Sequence, residues 1–254
     1  MKVTFIGVGE AFDELLPNNS QFMDAETGVG RVRGLIDCGF NVPFAYWRTV
    51  RDPEELDFIY ITHFHGDHCF GIPALLLKMR DVGRTKTLHV VGGHGIETKC
   101  RTLMQEAYSS LFNTLDYSIE YHVLTPDKPL SLQGCALSCA RSGHSAENHA
   151  IRVVTGAHSF FSSGDGHVTD ETLELARGCD LAVQEAYGLE SATEGHGSVG
   201  DAIDFGRKAG VKRLALAHVR ADVRRSKKRE ILAACEKTSD IGAFLPEPGD
   251  AVEL

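Results

Sequence analysis

Thr62-His63-Phe64-His65-Gly66-Asp67-His68 places four metal-ligand side chains within six positions. An apolar, strand-like run, Leu56 to Thr62, leads into them, and Ile72 to Met79, rich in helix formers, follows. Alternation at a strand end aims His63 and His65 to one side, and a sharp turn at Gly66 brings Asp67 and His68 back beneath them. Imidazole nitrogen and carboxylate oxygen suit Zn, Mn or Fe, and the order His-x-His-x-Asp-His divides between two neighbouring ions. Three histidines can gather on a surface by accident. Their density at a strand-helix junction favours a metal site.

Outward from this stretch, Val3 to Val8 and Val32 to Ile36 read as strands, with a polar loop, Pro17 to Ser20, between them. Leu88 to Val91 reads as a strand, and Ile96 to Leu111 as an amphipathic helix with Leu103, Ala107 and Leu111 on one stripe. Ser118 to Thr125, Leu130 to Cys139, Ala150 to Thr155 and Ser159 to Ser162 follow as strands separated by polar turns. The remainder alternates: helix Thr169 to Ala176, strand Leu181 to Gln184, helix Val199 to Ala209, strand Arg213 to Ala217, helix Lys227 to Glu236. Strands with helices placed to cover two sheets predict an α/β fold, an αββα four-layer sandwich. No repeat period or linker divides the chain, so residues 1–254 are expected to form a single domain.

Hydrophobic content of 43% and charged content of 24% exclude a disordered or fibrous chain. Met1 to Gly7 is too short an apolar run for a signal peptide, and no stretch has the length of a membrane span, which points to the cytoplasm. The seven cysteines are odd in number and contain no CxxC pair. Cys38, Cys100, Cys135, Cys139, Cys179 and Cys235 read as buried thiols, and Cys69 as packing at a helix start rather than a sulfur ligand. A formal net charge of −9 disfavours indiscriminate binding to nucleic acid or anionic membrane, while a small anionic substrate remains compatible with a local cationic site.

The segment Thr62 to His68 resembles the signature of metallo-β-lactamase-fold hydrolases, and the resemblance extends over nearly the whole chain. Leu35-Ile36-Asp37-Cys38-Gly39 looks like that family's strand before the metal loop. Ser142-Gly143-His144 looks like its third motif, Ser163-Gly164-Asp165 like its bridging carboxylate, and His218 like its last ligand. The resemblance implies that His63, His65 and His144 hold one ion, that Asp67, His68 and His218 hold the other, and that Asp165 bridges both. Taken singly, His144, Asp165 and His218 are ordinary loop or strand-end residues; their order along the chain makes them a set.

Within the family, Glu185-Ala186-Tyr187 followed by His196-Gly197-Ser198 resembles the ribonuclease Z and phosphodiesterase branch. That resemblance implies that His196 acts at a scissile phosphate with Glu185 as its acidic partner. Two features depart from the pattern. Gly166-His167 follows Asp165 where threonine is usual. Only roughly a dozen residues separate the strand after His144 from Ser163, which leaves no room for the long arm that grips transfer RNA and tells against transfer RNA processing. The branch also implies a possible homodimer. His89, His94, His122, His149, His158 and His167 are expected to be strand, turn or surface residues.

Arg220, Arg224, Arg225, Lys227, Lys228 and Arg229 cluster just after His218. A charge run is usually a solvated face, but beside a ligand in an acidic chain it is expected to capture an anion. The resulting expectation is a dinuclear metal-dependent phosphodiesterase acting on a small or nucleotide-like phosphodiester. A hydroxide shared by two divalent ions, Zn or alternatively Mn or Fe, would attack in line, with Asp67 orienting or deprotonating it and His196 serving the leaving oxygen. The same chemistry would cleave a carboxylic ester, thioester or lactone. A non-hydrolytic class, a di-iron redox centre or an inactive metal-binding module, is disfavoured by the full ligand set and by the lack of length for a flavin domain.

Overall fold

The computed structural model describes residues 1–111, 114–190 and 193–254. The chain begins with three antiparallel strands, β1 (Lys2–Gly7), β2 (Ser20–Thr27) and β3 (Gly30–Ile36), then α1 (Val42–Thr49). Parallel crossovers continue the sheet through β4 (Phe58–Ile61), α2 (Gly66–Cys69), α3 (Ile72–Asp81), β5 (Leu88–Gly92), α4 (Ile96–Tyr108) and β6 (Ile119–Val123). A second sheet takes up β7 (Leu130–Leu132), β8 (Cys135–Arg141), β9 (His149–Thr155), β10 (His158–Ser162), α5 (Asp170–Ala176) and β11 (Leu181–Glu185). It continues through α6 (Val199–Ala209), β12 (Leu214–Ala217), α7 (Ala221–Ser226), α8 (Lys228–Glu236) and β13 (Ala243–Phe244), and β14 (Ala251–Glu253) returns to pair with β1.

Two seven-stranded sheets result, ordered β14-β1-β2-β3-β4-β5-β6 and β13-β12-β11-β10-β9-β8-β7. Side-chain alternation sorts the apolar residues into three layers of core. On β4, Phe58 and Tyr60 face the second sheet and meet Leu137, Val153 and Phe160, whereas Ile59 and Ile61 face outward under α1, α3 and α4. The outer face of the second sheet is covered likewise, with Phe161 and Leu216 against Phe205 of α6 and Ile231 of α8. Each such side chain, fully removed from water, contributes about 1.5–3 kcal/mol. Three cores between four layers make the αββα sandwich of the metallo-β-lactamase fold.

Several local expectations change. β2 has no counterpart in the sequence reading, which places only the loop Pro17 to Ser20 between the first two strands; Ser20, Gln21, Asp24, Glu26 and Thr27 dilute its apolar residues, yet Phe22, Met23 and Ala25 are buried. The run Leu130 to Cys139 breaks into a hairpin at Gln133-Gly134, both with positive φ. On α4 the buried stripe is Ile96, Cys100, Leu103 and Met104, and Ala107 is exposed. β9 and β10 pair from Thr155 opposite His158, so a tight turn at Gly156-Ala157 joins them. No helix among the described residues is long and apolar enough to cross a membrane.

Candidate metal centre

Strand β3 ends at Ile36, and Asp37 follows with φ 61°, turning a buried carboxylate toward the end of β4. That carboxylate accepts hydrogen bonds from the Thr62 backbone N–H at 2.8 Å and from Thr62 Oγ1, and it contacts His68 Nδ1 at 2.7 Å. His63 and His65 lie past the strand, in extended backbone leading to the short helix α2, which carries Asp67 and His68. Cys69, buried at the end of α2, donates a hydrogen bond from Sγ to the His65 carbonyl at 3.3 Å. Gly39 is required here: a Cβ on it would lie 1.9 Å from the Asp67 carbonyl oxygen.

From the second sheet, β8, β10, β11 and β12 run in one direction and deliver Glu185 at the carboxyl end of β11 and His144, Asp165 and His218 beyond the ends of the other three. The glycines flanking Asp165 serve local packing, since a Cβ on Gly164 (φ 60°) would meet Asn148 Oδ1 at 2.3 Å and Thr62. Asn148 holds this corner by donating to Ser142 Oγ and the Ser163 carbonyl while accepting from the Asp165 N–H.

These elements bring together every residue of the expected ligand set. His63, His65 and His144 form one cluster, and Asp67, His68, Asp165 and His218 a second. His65 Nδ1 and His144 Nε2 are 3.2 Å apart. His68 Nε2 lies 3.2 Å from Asp67 Oδ2 and 3.3 Å from Asp165 Oδ1; His218 Nε2 lies 3.3 Å from Asp67 and 3.4 Å from Asp165. Asp165 Oδ2 is also 3.9 Å from His63 Nε2, so its carboxylate faces both clusters.

Two observations test whether these residues suit metal ions. His63 Nε2, His68 Nε2 and Asp165 Oδ1 are buried without any hydrogen-bond partner, a costly arrangement unless another group occupies the space they share. Three of the ring nitrogens facing away are hydrogen-bonded, His63 Nδ1 to Thr62 Oγ1, His68 Nδ1 to Asp37 and His144 Nδ1 to the Gly195 carbonyl, while His218 Nδ1 lies 3.3 Å from Glu185 Oε1 without a hydrogen bond. Such outer partners fix the tautomer that leaves a lone pair for a metal. The electrostatics agree. Burial opposes charge on His68 and His218, but neighbouring carboxylates, Asp165 foremost, outweigh it and lift His218 to about 10 and His68 well above the usual range. Asp165 is in turn held well below the usual carboxylate range, despite burial, by His218 and His68. A pocket that stabilises positive charge so strongly, lined by imidazole and carboxylate, fits divalent cations.

Next to the clusters, His196 Nδ1 is hydrogen-bonded to Glu185 Oε1, and Glu185 Oε2 accepts the Gly166 N–H at 2.6 Å. Burial opposes protonation of His196, but the Glu185 bond and charge override it and raise its pKa. The Tyr187 ring stacks on His196 at 4.4 Å. Ser198 has a different task from the one its position suggests, capping α6 by accepting from the Asp201 N–H. His167 clamps the His144 loop through its backbone, exchanging hydrogen bonds with Gly143. Glu10, Phe12, Phe40 and Tyr187 complete a cleft of about 360 Å³ over His65, His144, Asp165, His196 and His218.

No residue of the basic cluster lines this cleft, and most of its members are paired with acids. Arg220 pairs with Asp222, Arg225 with Glu14, Lys227 with Glu230, and Arg224 and Lys228 with Glu247. Arg224 is buried and also donates to the Pro246 carbonyl, which ties α7 to the chain after α8. Sequence reasoning gave no role to Asp37, Asn148 or Tyr187. Asp37 carried a usable signal, an acid at a strand end directly before Cys38-Gly39.

A family model described as Anti-Pycsar protein Apyc1 matches residues 1–230. Ribonuclease BN of Escherichia coli O1:K1 / APEC is 30% identical over 239 aligned residues, covering 73% of this chain and 77% of that protein. Human tRNase Z, short form, superposes with a TM-score of 0.79 at 21% identity over 100% of this chain and 99% of its own. The metallo-β-lactamase fold protein YhfI from Bacillus subtilis gives a TM-score of 0.78 at 21% identity, covering 99% and 98%.

Proposed function

The chain belongs to the anti-Pycsar protein Apyc1 family, and from that premise we propose that it is a dinuclear metal phosphodiesterase acting on a small, nucleotide-like phosphodiester. The observation that carries this is the Glu185–His196 pair beside two clusters of metal-binding side chains. His63, His65 and His144 would hold one cation, Asp67, His68 and His218 the other, with Asp165 between them; zinc suits this donor set, as do manganese and iron. When bound, the pair supplies Lewis acidity and a nucleophile activated at neutral pH.

The chain's own residues do the rest. Asp67 orients the attacking water or accepts its proton. Glu185 engages Nδ1 of His196, so Nε2 is the nitrogen free to protonate the leaving oxygen. Tyr187, stacked on the imidazole, restricts its rotation. The size of the cleft and the tight turn at Gly156-Ala157 favour a small substrate over transfer RNA. Residues 1–254 act as one domain in this reading, with β14 paired to β1, and seven unpaired, buried cysteines suit the reducing cytoplasm.

Hydrolysis of bis(p-nitrophenyl) phosphate by protein of measured metal content is the test, with a p-nitrophenyl acyl ester in parallel. Phosphodiester turnover that chelation abolishes and one added metal restores is expected. Turnover of the acyl ester alone would overturn the assignment in favour of ester chemistry.

A further inference from the structure

On β5 and β6 the apolar residues Leu88, Val90, Ile119 and Tyr121 face the helices, so the alternate positions His89, Glu120 and His122 face the second sheet. β6 and β7 end their respective sheets on the same side, and the β7–β8 turn brings Gln133 against His89. Three ligand-type side chains therefore meet at the open edge between the sheets, and none belongs to the centre described above. His89 Nδ1 lies 3.0 Å from His122 Nε2 and 3.3 Å from Glu120 Oε2, and His122 Nε2 lies 4.0 Å from the same oxygen.

We infer that His89, Glu120 and His122 form a separate site for a divalent transition-metal ion, zinc above all. Ligands about 2.0–2.1 Å from a tetrahedral zinc stand roughly 3.3–3.4 Å from one another, close to the spacings here. Two imidazoles and one carboxylate, with a fourth position open to water, are a donor set that zinc accepts. His89 is nearly buried, which positions the site, while Glu120 is more than half exposed and can swing the remaining distance. Coordination at Nδ1 of His89 leaves a proton on Nε2, and the Gln133 amide, 3.4 Å away, accepts it once its oxygen is turned to the ring. Without an ion, a single ring proton shared between His89 Nδ1 and His122 Nε2 serves all three groups, leaving lone pairs directed into the space between them. Burial, with His89 adding to it, holds His122 below the usual histidine range and so keeps its lone pair available. An ion here would tie the last two strands of the first sheet together.

The test is zinc content after equilibration with a slight excess of Zn²⁺ and desalting, measured for wild type, H89Q/H122Q and E120Q. The double variant should retain one equivalent fewer than wild type, with hydrolysis at the other centre unchanged. E120Q, altering a side chain that is more than half exposed, should release the same equivalent at least tenfold more readily in a chelator competition. Equal zinc content in wild type and the double variant would show the cluster to be a hydrogen-bonded histidine pair and overturn the inference. Because the measurement counts metal, it stands apart from the phosphodiesterase reading.

Discussion

Glu185 holds His196 by its Nδ1, and the same carboxylate oxygen lies 3.3 Å from Nδ1 of His218. One buried side chain thus braces the group proposed to protonate the leaving oxygen and a group proposed to bind metal. Its second oxygen is anchored to the Gly166 N–H, next to Asp165. Movement of Glu185 would therefore disturb three parts of the site together.

Replacing His196 with Ala should lower kcat by about 10²–10⁴-fold, the usual worth of a positioned proton donor, with little change in KM or bound metal. E185Q retains the shape but removes the charge that keeps His196 protonated, and it should lower kcat by about 10–100-fold. Steady-state kinetics on bis(p-nitrophenyl) phosphate, paired with metal analysis, separates the two roles. Loss of metal from the His196 variant would contradict its assignment.

Gly39 packs against the Asp67 carbonyl so tightly that an added methyl must displace the metal loop. G39A is expected to cost about 1–3 kcal/mol in denaturant unfolding and to weaken retention of metal as well. A variant as stable and as metal-replete as wild type would mean that the loop yields freely, and the close approach would have no consequence.

Much of this was legible in the sequence because ligand identity is local. His63, His65, Asp67 and His68 announce themselves within one loop, and Val199–Ala209 shows its helix by a clean apolar period. What escaped depends on distant neighbours. β2 is buried by packing that its polar residues conceal, and the partners of the basic cluster, Glu14 and Glu247, lie far away in sequence. His89 and His122 looked like ordinary strand residues because their meeting depends on the parallel register of β5 and β6.

Asp37 holds His68 from behind while accepting two hydrogen bonds from Thr62. D37N keeps the volume but presents a neutral amide to the imidazole, weakening the tautomer that leaves Nε2 free. Metal affinity should fall by about 10–100-fold, read from competition with a chelator of known strength. Unchanged affinity would show that Thr62 and the backbone position His68 unaided.

Asp180 offers a pH-dependent test of how β10 and β11 are joined. Its carboxylate accepts from the Ser159 N–H at 2.8 Å and from Lys212 Nζ at 2.6 Å. Burial pushes its pKa up, but the Lys212 and Ser159 bonds outweigh that and hold it below the usual value. A carboxylate with a lowered folded-state pKa contributes stability that is fully present above its unfolded pKa of about 3.9, and loses it as pH falls through the folded value. Relative to wild type, D180N should therefore be less stable by about 1–2 kcal/mol at pH 7, modest because Lys212 is largely exposed. The difference should shrink steadily as the pH is taken below about 4. Urea unfolding of both proteins in chelator, at neutral and acidic pH, measures the gap without interference from bound metal. A gap that stays constant would mean that packing at this position, rather than the ionised carboxylate, secures the two strands.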